Sequence, residues 1–448
     1  MKKGFWKKVA WIGIPVAIQN LINTILNMCD TLMLTSLGEE FISSVGLANK
    51  IFFVFNLLAF GCISGCGILT SQYYGKGDSK GINKSFGFSL ILSVLSAVIF
   101  FVPAIICPNF LLGLFTKSSG LIEIGGSYLR IVAISYIFTA ISMSITGLLK
   151  SVNKTRAPMF VTLGCVVINV GINYLLIFGK LGFPRLEANG AAIGTVVARF
   201  IEVLALLIYL IFTKKDFVLK IKEMFMLDKI FIVETIKMST PVIINEFSWG
   251  LGTTIYSVIY GHMDDNVVAA MTISSAFQDI AWAFLMGISN ACAIIVGNEL
   301  GANEFVSAKK TASRLLKTNV IISFIIGVVL LSTMDLYIGF YDNISDIVKS
   351  YIIYINIIFV CYLPFKAFNL TNVCGILRSG GDTVFCMLLD ICGVWLIGIP
   401  LGLITAFGLG KGIIIVFTTI LSEEIVKLFV SFHRYKKYKW VRNITHMN

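Results

Sequence analysis

Residues 147–155 read Gly-Leu-Leu-Lys-Ser-Val-Asn-Lys-Thr, and residues 375–383, 228 positions later, read Gly-Ile-Leu-Arg-Ser-Gly-Gly-Asp-Thr. In this frame Gly147, Leu149, Ser151 and Thr155 meet Gly375, Leu377, Ser379 and Thr383, and Lys150 meets Arg378. Met159 and Gly182 extend the match to Met387 and Gly410. At an offset of 226 the earlier part of the chain matches too: Pro15 with Pro241, Gly61 with Gly287 and Gly75 with Gly301. The 448-residue chain is therefore a tandem duplication, and its fold follows from what one copy can form.

Each copy consists of apolar runs separated by short polar breaks. Hydrophobic residues make up 57% of the chain and charged residues only 13%, with a mean hydropathy of +0.88, values that place the chain in a bilayer rather than in water. The runs reach the roughly 20 residues a helix needs to cross about 30 Å of hydrocarbon. They show no strand-period alternation, which argues against a barrel. Breaks at Gly, Pro and charge predict helices over 9–34, 43–71, 85–108, 121–149, 157–179, 190–213, 235–260, 267–296, 317–334, 347–377, 384–407 and 411–432. The run after Met1-Lys2-Lys3 continues to Leu34, too long for a signal-peptide core, so the first span is expected to be retained.

Counting Lys and Arg in alternate loops gives 25 on one side and 5 on the other. Basic flanks resist translocation, so both termini are expected in the cytoplasm and the number of spans is even. The net charge of +12 thus reports orientation in a cell membrane, not a nucleic-acid surface. The expected architecture is an all-α membrane protein of twelve transmembrane helices in two six-helix lobes. Both halves start on the same side, which makes them parallel repeats about a pseudo-twofold along the membrane normal. The N-lobe is expected over 1–213, a charged cytoplasmic linker over 214–233, the C-lobe over 234–432 and a basic tail over 433–448. A cleft between two such halves, opened to each side in turn, is suited to transport.

Energy for transport must come from an ion gradient, because no G-x-x-x-x-G-K-[ST] loop and no soluble domain is present. No cofactor is expected. Of the ten cysteines, Cys29, Cys62, Cys66, Cys165, Cys361 and Cys392 lie inside apolar spans without metal-ligand spacing and read as small buried hydrophobes.

Acids inside the spans are costly to insert, so each is a functional candidate. Asn20, Asn23, Asn27 and Asp30 are spaced to share one face of the first helix, and Thr162, Asn169 and Asn173 share one face of the fifth. The fifth-helix oxygens are candidates to complete a sodium site around Asp30, or else to form an interhelical hydrogen-bond seam. Glu246 follows Pro241 in the seventh span, on a face continued by Trp249, Thr253 and Ser257, at the repeat position of Asn20. Burial disfavours a bare carboxylate and would bring proton binding and release into physiological reach. Asp279, beside Gln278 and Trp282, and Asp390, at the repeat position of Thr162, complete the set of candidate coupling acids. Lys366 is a buried base expected to pair with one of these acids or to reach toward the interface. Asn20, Asn23, Asn27 and Trp249 are the candidates for the substrate cleft, and an aromatic cleft lined with acids suits flat organic cations.

Several stretches resemble the multidrug and toxic compound extrusion (MATE) transporters: Pro15, Met28-Cys29-Asp30-Thr31, Ser36-Leu37-Gly38-Glu39-Glu40 and Val45-Gly46-Leu47-Ala48-Asn49-Lys50. The likeness continues at 72–77, 169–174, 190–199, 241–249, 297–302 and 377–383. The resemblance implies a bacterial member of the multidrug/oligosaccharidyl-lipid/polysaccharide exporter superfamily, with two lobes and alternating access. It implies antiport of cationic or amphipathic small molecules against H+ or Na+ by a monomeric exporter in contact with membrane lipid. In that family Asp30 would belong to an N-lobe cation site with Asn169 and Asn173 nearby, and Glu246 to a C-lobe site. Many members carry Asp where this chain has Asn173, and some carry a tenth-helix acid that has no match between Ile347 and Gly381. The alternative within the superfamily is a flippase for lipid-linked oligosaccharide or peptidoglycan precursors, which would call for basic cavities. An integral-membrane lipid enzyme lacks a convincing His, Asp or Ser cluster, so the chain is not expected to be an enzyme.

Overall fold

The computed structural model describes residues 4–212, 219–339, 341 and 344–445; the first part of the linker, from Lys214 to Val218, lies outside the described residues. The chain folds into helices: α1 (Phe5–Thr35), α2 (Glu39–Lys76), α3 (Ser79–Ile106), α4 (Pro108–Gly113), α5 (Ser119–Val132), α6 (Ile134–Ser151), α7 (Arg156–Phe178), α8 (Glu187–Phe212), α9 (Ile221–Met224), α10 (Lys229–Gly261), α11 (Asp265–Gly301) and α12 (Phe305–Ser332). There follow α13 (Met334–Ile338), α14 (Asp346–Leu370), α15 (Thr383–Ile391), α16 (Ile399–Leu403), α17 (Ile413–Leu421) and α18 (Glu423–Lys436). Among the described residues ten helical segments have the length and apolarity to cross a membrane. Helices satisfy their own backbone groups, which is what hydrocarbon demands.

Two predicted spans prove to be broken. The stretch 121–149 is α5 and α6, separated at Ala133, where the Tyr136 amide bonds back only three residues. The stretch 411–432 is α17 and α18, separated at Ser422, whose amide is shared between the carbonyls of Thr418 and Thr419. Such tightened turns keep the chain direction while re-aiming the side chains that follow. Two of the later spans also contain wide π turns, at Thr371–Leu377 and Cys392–Gly398.

The duplication is visible in the backbone. Asn153 and Gly381, 228 apart, both adopt the left-handed conformation, with φ of 63° and 75°; Gly77 and Asn303, 226 apart, do so at 77° and 61°. Asn and Gly are the residues that tolerate this region, so the two copies keep the turn while exchanging one permissive residue for the other.

The helices form two compact units, Ile18–Ile243 and Met1–Ala17 with Ile244–Asn448. The divisions fall inside α1 and α10, at repeat-equivalent positions two residues after Pro15 and Pro241. In the first unit a Cβ on Gly61 would lie 2.8 Å from Ile243 Cα, and one on Gly65 2.6 Å from Ser239 Cα. In the second unit the equivalent residues repeat the contact: a Cβ on Gly287 would lie 2.8 Å from Ala17 Cβ and one on Gly13 3.5 Å from Ala291 Cβ. Small residues let helices approach where lipid supplies no hydrophobic drive for their association. Each unit has an apolar core, around Phe55, Tyr136 and Leu129 in the first and around Ile352, Leu363 and Val416 in the second.

The end of the linker is fastened to α3 of the first unit. Asn83 Nδ2 donates to Glu223 Oε2 at 2.8 Å and Lys84 Nζ to Asp228 Oδ2 at 2.5 Å. These bonds hold both carboxyls below the usual carboxylate range, the Asn83 bond being the main cause for Glu223 and the Lys84 bond for Asp228. The basic tail is folded onto the second unit: Trp440 is fully buried and Arg442 donates to the Gly380 carbonyl at 2.7 Å.

Candidate functional site

In the first unit α1 and α7 bring three of the predicted residues together. Asn173 Nδ2 donates to Asp30 Oδ1 at 2.8 Å, and the Asn169 amide, with its nitrogen turned inward, lies 3.2 Å from the same oxygen. The amides here present N–H groups to a carboxylate; a cation bound at Asp30 would instead be ligated by their oxygens, and Asn173 Oδ1 is buried without a hydrogen-bond partner. The other first-helix candidates stand differently. Asn20 and Asn23 are half-buried and Asn27 is exposed, while the neighbouring Gln19 is buried and donates to Thr162 Oγ1 at 3.1 Å. Thr162 in turn reaches Glu202 Oε1 at 3.4 Å, and Glu202 holds Arg199 at 2.7 Å.

In the second unit Glu246 and Asp390 belong to one cluster. Arg378 lies between them, with Nη1 at 2.8 Å from Glu246 Oε1 and Nη2 at 4.0 Å from Asp390 Oδ2. Arg378 is buried, although in the sequence it reads as a loop base reporting orientation. The π turn at Thr371–Leu377 directly precedes it and the second π turn directly follows α15, which carries Asp390. Lys427 Nζ sits 3.7 Å from Asp390 Oδ1 and 3.4 Å from Glu423 Oε1. Tyr256 donates to Glu423 Oε2 at 3.1 Å. Lys366 pairs at 3.7 Å with Glu424, an acid absent from the predicted candidates, and not with Asp279 or Asp390. Trp249 is exposed. Asp279 is also exposed and forms no hydrogen bond or ion pair among the described residues.

The two units carry the same polar frame. Asn245 Nδ2 donates to Asp390 Oδ2 at 2.9 Å, as Gln19 donates to Thr162; 19 and 245 are 226 apart, and 162 and 390 are 228 apart. Arg199 and Lys427, again 228 apart, put a base beside a buried carboxylate in each unit, Arg199 half-buried and Lys427 buried. Gln19, Glu202, Arg378, Glu423, Glu424 and Lys427 were not among the predicted site residues. The repeat offset, carried through to the sixth and twelfth spans, is the signal that would have paired Lys427 with Arg199. Glu423 and Glu424 lie inside the predicted span 411–432, so the cost of placing an acid in a membrane is the signal that could have found them.

Each frame sets opposite charges beside one another among largely buried side chains. The MatE family model matches residues 15–175 and 241–404, one match in each repeat. The chain is 24% identical over 433 residues to the uncharacterized transporter YisQ of Bacillus subtilis, covering 96% of this chain and 93% of that one. It is 25% identical over 402 residues to the probable multidrug resistance protein NorM of Photorhabdus laumondii, covering 89% and 87%. A solved structure of a multidrug resistance MATE family transporter in an outward-facing conformation shares the fold, with a TM-score of 0.88 at 17% identity over 97% of this chain and 95% of that one. The duplicated helical halves, the paired matches and the shared fold together establish that this chain belongs to the MatE family of multi-pass membrane transporters.

Proposed function

We propose that this transporter exports small organic cations or amphipathic compounds, drugs among them, across the cell membrane in exchange for H+ or Na+. The observation that carries this reading is that each repeat holds a half-buried carboxylate against amide or basic partners, Asp30 with Asn173 in one and Asp390 with Asn245 in the other. A buried carboxylate changes its partners when a small cation binds, and that difference in interaction energy is what can bias one conformation over another. The named multidrug relatives support a drug-like cargo. Both termini lie in the cytoplasm on this reading, as the basic loops require, and the working unit is a single chain in contact with lipid.

The flippase reading needs cations free to bind pyrophosphate. Arg199, Lys366, Arg378 and Lys427 are each already paired with a carboxylate, which favours export of cations. Proteoliposomes loaded with ethidium, given a sodium gradient or a proton gradient separately, test the proposal. Gradient-driven movement that is lost in Asp30→Asn or Glu246→Gln protein is the expected result. Movement indifferent to both gradients would overturn it.

A further inference from the structure

The sharpest difference between the two repeats lies at one position. Where the first unit has Arg199, the second has Lys427, and the two sit in the same frame beside the Gln19–Thr162 and Asn245–Asp390 bonds. A guanidinium does not give up its proton, whereas an ammonium is a compact point charge with the charge and site preference of a small cation. Lys427 is built into its place. A Cβ on Gly393 would lie 2.1 Å from Lys427 Cε, and one on Gly398 2.8 Å from Glu423 Oε2. Both glycines lie in the π turn Cys392–Gly398, whose bare backbone at these positions leaves room for the side chains of Lys427, Glu423 and Tyr256.

We propose that Lys427 is the resident counter-cation of the second unit, filling the place between Asp390 and Glu423 that a sodium ion would need, so that this unit exchanges a proton and not sodium. The inference rests on the preceding reading that the acids of this unit couple transport, and deepens it by naming the ion. Four carboxylates, those of Glu246, Asp390, Glu423 and Glu424, face three bases, Arg378, Lys366 and Lys427. With all seven charged the cluster is one negative charge in excess, and a single proton neutralises it. The phenols of Tyr256 and Tyr260 and the thiols of Cys374 and Cys386 also face the cluster.

Asn245 is equipped to serve both states of Asp390. Its nitrogen donates to the carboxylate, while its buried Oδ1 has no hydrogen-bond partner. When a proton from water bonds to Asp390 Oδ2, giving the neutral carboxyl, rotation of the Asn245 amide presents Oδ1 to accept the new O–H. Lys427 then keeps Glu423 as its partner. Sodium has no such route: it would have to displace a tethered ammonium from two carboxylates at once.

The test is infrared titration of the carboxyl C=O band on purified full-length protein in nanodiscs, in an Asp30→Asn background, with sodium or potassium as the only added cation. The expected result is a titration that is the same in both salts and that contains one carboxyl per chain more than the same titration of protein combining Asp390→Asn with Glu423→Gln. Lys427→Gln should make the band sodium-sensitive, with sodium suppressing protonation by about tenfold more than potassium does; Lys427→Arg, which keeps the charge, should remain indifferent. Sodium suppression in the Lys427 protein, or indifference in Lys427→Gln protein that is folded and monodisperse, overturns the proposal. If Lys427→Gln does not fold, the salt comparison in the Lys427 and Lys427→Arg proteins still decides. Because the titration involves no transport, failure of gradient-driven export in the parent protein would sink the antiport reading and leave this result standing on its own.

Discussion

Replacing Arg378 with Met removes the cation that lies between Glu246 and Asp390. The Arg378 side chain is 6% exposed and that of Glu246 15%, so water can do little to solvate a carboxylate left behind. Breaking a buried pair by deleting one partner costs about 3–5 kcal/mol, because the other charge stays buried and uncompensated. The upper part of that range is expected here, since Asp390 loses a neighbour at 4.0 Å in the same step. For a unit of this size the loss corresponds to a fall in Tm on the order of 10 °C. Buried Cys386 supplies the readout: a thiol-reactive fluorophore brightens as heating exposes it. The double variant Arg378→Met with Glu246→Gln should recover most of the lost stability, because two neutral groups leave no orphan charge. An Arg378→Met protein melting within about 2 °C of the parent, or a double variant no more stable than the single, would refute the reasoning and mean that Glu246 is not ionised in the folded protein.

Three further outcomes are expected. Asn173→Ala removes the donor at 2.8 Å from Asp30 and should weaken ion-dependent ethidium export by about tenfold, an effect worth roughly 1–2 kcal/mol for a bond to a charged group, whereas Asn173→Asp should restore a second acid and alter the dependence of export on the ion gradient rather than abolish it. Gly65→Val forces a side chain against Ser239 Cα, where backbone and not a flexible side chain must yield, and should cost at least about 1–3 kcal/mol in the same melting assay, while Gly46→Ala, with open space around it, should be nearly neutral. Glu223 and Asp228 have folded values below their unfolded ones, so the support they give the linker is full at neutral pH and is lost as pH falls through those lowered values; hydrogen exchange over residues 219–228 should quicken on acidification and, in Asn83→Ala protein, be faster already at neutral pH.

How much of this was legible beforehand varies by residue. Asp30, Asn169 and Asn173 are legible as candidates because helical spacing puts each set on one face, and a contact between two such faces brings the three together. Glu246 and Asp390 were found singly, as acids where acids are costly. The base between them was not, because Arg378 stands beside Ser379, Gly380 and Gly381 and looks like any cytoplasmic loop cation; only the π turn before it and the folded tail beneath it, with Trp440 and Arg442 against Gly380, bury it. The partners of Lys427 and Glu423 are hidden for a related reason. The turn at Ser422 re-aims the last helix, and two glycines on a different segment, 393 and 398, make the room they occupy.

From the sequence by itself the class, the helices and the duplication follow, because they depend on local quantities: hydropathy along the chain, the length of each run, and the spacing of matching residues. Which charge neutralises which depends on contacts such as that of Arg378 with Glu246, 132 positions apart, brought together by packing that no local pattern encodes. Buried charges settle their partners by distance and desolvation, and both are properties of the folded molecule alone.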